Sequence, residues 1–90
     1  MKKMPAHLSA YKKTKTFDQD SIPKGLLNEH TTKEMVWGKI IILEGELLYI
    51  ITETGNEYKL NMNKFGIVEP EIKHRIAPLG KVKFYVEFYK

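Results

Sequence analysis

Ile40-Ile-Ile-Leu-Glu-Gly45-Glu-Leu-Leu48 and Val68-Glu-Pro70-Glu-Ile-Lys-His74-Arg-Ile76 decide the fold. The first reads as a strand, a tight turn in which Gly45 supplies a positive φ, and a second strand. The second sets a proline-led turn before a histidine that enters another strand. Around them, residues 35–43 and 47–53 are rich in Ile, Val, Leu, Trp and Tyr, the residues that strands prefer. Thr54-Gly55-Asn56 turns the chain into a strand over 57–60, and 61–64 form a loop. Further strands are expected over 65–69, 74–77 and 82–89, the last two separated by Pro78-Leu-Gly80, with a brief edge strand over 14–17. No window holds an apolar 3.6 period long enough for a helix. Seven or eight short strands at this spacing predict an all-β sandwich or barrel.

Ninety residues make one small domain. We expect an arm over residues 1–13, flexible and basic, followed by a barrel over 14–90. The net charge of +4 invites a nucleic-acid reading. Lys2, Lys3, Lys12, Lys13 and Lys15 supply it, leaving 10 of the 15 basic residues against all 11 acidic ones in the rest of the chain. A duplex binder concentrates Lys and Arg on the folded face that meets phosphate, so no nucleic-acid partner is expected. Cysteine is absent, which excludes disulfides and thiolate metal sites. The first ten residues lack the apolar stretch of a signal peptide. The longest aliphatic or aromatic run, residues 47–51, is far short of a membrane span. The expectation is a cytoplasmic protein without a membrane partner.

Alternation puts Val36, Gly38, Ile40 and Ile42 on one face and Trp37, Lys39, Ile41 and Leu43 on the other. Both faces carry large apolar groups, as on a central strand covered on both sides or a strand at a subunit interface. With so few residues to cover both, a homodimer is the expectation.

Several segments together resemble one known family. They are Ile22 to Ile40 (with His30, Lys33 and Trp37), the Gly45 turn, Glu69 to Arg75, and the closing Val86-Glu-Phe-Tyr89. They are similar to the small cupin found at the N-terminus of some tellurite-resistance methyltransferases and as free-standing proteins. The resemblance covers residues 11–90 and implies a cupin-like double-stranded β-helix, a jelly-roll barrel. It does not carry over methyl transfer, because the chain has no glycine-rich strand-to-helix fingerprint for the methyl donor.

Cupins of the metal-binding kind use two histidines and a carboxylate from a first motif and a histidine from a second. Here His30 matches the first histidine, Thr32 stands where the second would fall, and His74 matches the second-motif histidine. Glu34 has the same parity as His30 if the strand is regular. Glu29 adjoins His30 but points the opposite way. Glu87 reaches the site only if the face it shares with Tyr85 and Tyr89, rather than that of Phe84, Val86 and Phe88, lines the barrel. The resemblance therefore implies a metal set of His30, His74 and Glu34 or Glu87. Such a two-histidine, one-carboxylate set suits zinc, iron or manganese.

No nucleophile, acid or base constellation accompanies it. The leading expectation is a binding module that holds a metal or small-molecule ligand and responds to chemical stress. The alternatives are a metal-dependent oxygenase or isomerase and a purely structural dimerisation module.

Overall fold

The computed structural model describes residues 1–90. Its elements in chain order are β1 (Ala10–Lys13), β2 (Phe17–Asp18), α1 (Lys24–Leu27), β3 (Trp37–Ile51), β4 (Asn56–Leu60), β5 (Gly66–Val68) and β6 (His74–Tyr89). The fold is all-β in a single small domain, as the sequence predicts. One antiparallel sheet runs in the order β1-β6-β3-β4, with β2 pairing β6 and β5 pairing β3. β3 is thus central, flanked on one side by β6 and on the other by β4 and β5.

Two expected turns are corrected. Glu44-Gly45-Glu46 is not a hairpin, and Pro78-Leu-Gly80 does not separate two strands. β3 and β6 each continue through these residues, and they pair from Trp37↔Tyr89 to Ile51↔His74. The glycines serve bulges instead. Ile42 faces Phe84 and Glu44 faces Lys83, so Leu43 is an extra residue on β3. Gly45 then faces Val82, while Leu47 faces Pro78, so the surplus residues there lie on β6 around Gly80. Gly45 adopts φ 76° and Gly80 φ 90°. A Cβ on Gly45 would lie 1.9 Å from the Lys81 carbonyl oxygen, so the close approach of the two strands requires glycine.

The bulge also switches which residues face inward. Before it the core takes Ile40 and Ile42; after it, Leu47, Tyr49 and Ile51. One extra residue reverses the parity of a strand. On β6 the inward face carries His74, Ile76, Val82, Phe84 and Val86, and Phe84 meets Phe17 with ring centroids 5.7 Å apart.

The N-terminal segment is more structured than an arm ending at residue 13 implies. Residues 10–13 form β1, which pairs with the end of β6. Residues 1–6 and Leu8 line one side of a groove of about 490 Å³ whose other side is Lys39, Phe65, Ile67 and Tyr89. Lys2 reaches Glu69 at 3.6 Å. The apolar Met1, Met4, Pro5 and Leu8 give this segment a side to lay against the sheet. No helix is long and apolar enough to cross a membrane.

Candidate functional site

The start of β6 and the segment leading to β3 meet at His30 and His74. The two residues bridge antiparallel, each backbone N–H donating to the other's carbonyl, at 2.9 Å from His30 and 3.0 Å from His74. Residues paired in this way present their side chains to the same face. Their imidazoles accordingly stand 4.1 Å apart between ring centroids, tilted by 55°. The pair that the sequence singles out is therefore brought together.

Each ring uses Nδ1 locally. The Nδ1 of His74 lies 2.9 Å from the Ile72 carbonyl oxygen, and that of His30 lies 3.3 Å from the Asn28 carbonyl oxygen. A carbonyl only accepts, so in a neutral ring the proton sits on Nδ1 and Nε2 keeps its lone pair. Neither Nε2 bonds to another group of the chain. Burial, and secondarily the neighbouring His30, hold the His74 imidazole below the usual histidine range, against the opposing effect of the Ile72 carbonyl. Tyr49 meets His74 edge-on, with centroids 5.8 Å apart at 80°. Its hydroxyl donates to the Ile67 carbonyl at 3.0 Å, and burial pushes the phenol pKa well up.

The rings border a chamber of about 50 Å³ on the inner face of the sheet, otherwise walled mainly by apolar side chains such as Ile40, Val86 and Phe88. Thr14 and Thr32 also line it, but their hydroxyls are engaged. Thr14 Oγ1 donates to the Lys15 carbonyl and accepts from the Val86 N–H. Thr32 Oγ1 donates to the Glu69 carbonyl and accepts from the Glu71 N–H. The two Nε2 atoms remain as the chamber's side-chain hydrogen-bond acceptors without a partner in the chain. Leu26, His30, Thr32 and Phe88 also line a second space of about 280 Å³, bordered by Tyr11, Lys12 and Lys33. We take this adjoining space, which shares those four residues with the chamber, as its mouth.

The carboxylates do not join the histidines. Phe84 and Val86 are buried, so the phenylalanine face is the inner one and Glu87 lies on the outer face. There it accepts a short hydrogen bond from the Tyr89 hydroxyl, which is the main reason that phenol is pushed up to about 12. Glu34 is exposed in a turn in which the Val36 N–H donates to the Lys33 carbonyl and Met35 takes φ 64°. The strand regularity that would have aimed Glu34 inward ends before it. Glu29 accepts from the Thr52 hydroxyl. No three His, Asp or Glu side chains converge to hold a metal anywhere in the chain. The residues thus do not make the two-histidine, one-carboxylate set that the cupin resemblance implies, although Nδ1 bonds to carbonyls are how metal-binding histidines are oriented.

Lys12, Leu26 and Phe88 are site residues that sequence reasoning missed. Lys12 lies opposite Phe88 in the register of β1 on β6, a placement invisible without knowing that residues 10–13 are a strand.

A model of the TehB-like domain matches residues 12–86. The chain belongs to the TehB-like domain family. This is the branch that the resemblance at residues 22–40, 69–75 and 86–89 implies. The chain is 31% identical over 82 residues to a "Probable S-adenosyl-L-methionine-dependent methyltransferase TehB" of Haemophilus influenzae strain Rd. That match covers 86% of this chain and 29% of the relative, so the chain spans less than a third of the relative's length. The crystal structure of TehB from Haemophilus influenzae superposes with a TM-score of 0.84 at 29% identity, covering 96% of this chain and 32% of that one. A protein from Escherichia coli strain K12 superposes with a TM-score of 0.92 over 100% of this chain and 97% of its own. At 17% identity, that likeness shows the fold alone.

Proposed function

We propose that this TehB-like domain is a small-molecule binding module, that its site is the chamber between His30 and His74, and that residues 1–90 do not themselves transfer methyl groups. The carrying observation is the histidine pair: two imidazoles brought within 4.1 Å by a backbone bridge and tilted by 55°, both lining the chamber, each with Nδ1 tied to a carbonyl and Nε2 without a partner in the chain. An acceptor pair without a partner in the chain favours a guest that donates hydrogen bonds. Against methyl transfer stands the helix content. The one helix has four residues, and a strand–helix–strand unit for a nucleotide-like methyl donor needs far more. A role in chemical stress accords with the family's tie to tellurite resistance.

The test is a titration of the whole chain with small polar molecules, followed by amide and imidazole NMR. Shifts should concentrate at His30, Thr32, His74 and Phe88. Shifts confined to the groove beneath residues 1–8 would contradict the assignment.

The second reading is a divalent metal held by His30 and His74 alone, with the remaining positions open to solvent or ligand. The free Nε2 pair favours it. Zinc bound in the micromolar range or tighter, and lost in His30→Ala and His74→Ala, would select this reading over the first.

A further inference from the structure

Charge is distributed unevenly around the candidate site. The chamber and its mouth are lined by no Asp or Glu, while Lys12 and Lys33 stand at the rim. Neither lysine is neutralised by the chain. The ion pairs are Lys2 with Glu69 and Lys83 with Glu44. Four other lysines (Lys13, Lys39, Lys64 and Lys90) lie over aromatic rings, and Lys12 and Lys33 do not. The backbone fixes both positions. Lys12 is set on β1 directly opposite Phe88, whose side chain lines both chamber and mouth. Lys33 opens the turn that carries the chain from Thr32 to β3.

The interior asks for the complementary chemistry. With both Nδ1 atoms donating to carbonyls, the rings offer two acceptors and no donor. The Thr14 and Thr32 hydroxyls are already engaged on both sides. A bare anion inside would meet lone pairs, whereas a hydroxyl or amine would be satisfied.

Resting on the binding reading above, we infer that the ligand is a small hydroxylated organic anion. Its hydroxyl enters the chamber between His30 and His74, and its anionic group stays at the mouth with Lys12 and Lys33. A chamber of about 50 Å³ admits a head of only a few atoms, and the mouth of about 280 Å³ takes the rest. Exposed charge contacts are individually weak, so the anionic end sets selectivity more than total affinity.

The test uses three probes on the intact chain: 4-hydroxybutyrate, 1,4-butanediol (hydroxyl without the charge) and butyrate (charge without the hydroxyl). Binding is read by the imidazole resonances of His30 and His74. 4-Hydroxybutyrate should bind tightest and the diol roughly fivefold more weakly. The double substitution Lys12→Gln, Lys33→Gln should bring 4-hydroxybutyrate down to the diol's affinity and leave the diol unchanged. Equal affinity of acid and diol, or indifference to the lysines, overturns the anionic end. Butyrate binding as tightly as 4-hydroxybutyrate overturns the hydroxyl head. If no probe moves either imidazole at millimolar concentration, the binding reading itself fails, an outcome distinct from the other two.

Discussion

His74 links the geometry of the site to the stability of the fold. Burial holds its imidazole below the usual range in the folded state, whereas an unfolded chain protonates histidine near about pH 6.5. Between these two values the unfolded state binds more protons. Stability from this residue is therefore complete above about pH 6.5 and declines as the pH falls through that window. Melting temperature should drop between pH 7.5 and pH 5.5, and His74→Asn should flatten that dependence, because its amide can still donate to the Ile72 carbonyl. An equal slope in both proteins would contradict the assignment. Tyr49 offers a second check. Its hydroxyl ties β3 to β5 through the Ile67 carbonyl at full burial. Tyr49→Phe leaves that carbonyl unpaired and should cost about 1–2 kcal/mol in urea unfolding; a loss near zero would show that water replaces the bond. At this scale the sequence is informative about His30 and His74, since their motif positions survive folding. It misleads about Glu34 and Glu87, because parity counts only within a regular strand whose inward face is known.

At the level of elements, the glycines divide by what their surroundings demand. Gly45 and Gly55 both take positive φ, near 76° and 80°. A Cβ on Gly55 would meet nothing within 4 Å, while one on Gly45 would strike the Lys81 carbonyl. Gly55→Ala should therefore cost only the left-handed penalty of about 1–2 kcal/mol. Gly45→Ala must also push β3 and β6 apart, and should cost clearly more, roughly 3 kcal/mol or above. Equal losses in chemical denaturation would contradict the bulge. The strand-rich character and most strand positions were legible from Ile, Val and aromatic runs. The continuity of β3 through Gly45 and of β6 through Gly80 was not. A glycine between two apolar runs has the same local signature in a hairpin as in a bulge, and the partner strand some 35 residues away decides between them.

For the molecule as a whole, the N-terminal segment and the site lie on different sides of the sheet. Residues 1–6 and Leu8 border the groove on the outer face with Tyr89, whereas the chamber lies on the inner face with Val86 and Phe88. Deleting residues 1–8 should lower the melting temperature by about 4–8 °C, the shift that roughly 1 kcal/mol makes in a domain of this size, and should leave binding of 4-hydroxybutyrate unchanged. An unaltered melting temperature would mean that the segment contributes nothing to the fold. Its packing was hidden in the sequence because five lysines in fifteen residues look like a solvated tail, and the apolar residues between them show their partners only once β3, β5 and β6 are assembled.

Which nitrogen of each histidine carries the proton decides what the chamber can bind, and long-range ¹H–¹⁵N NMR of the imidazoles at pH 8 reads this directly. The prediction is the Nδ1–H tautomer for both His30 and His74, leaving two Nε2 acceptors facing the chamber. An Nε2–H tautomer at either ring would contradict it, since the chamber would then offer a donor where the proposed ligand brings one of its own.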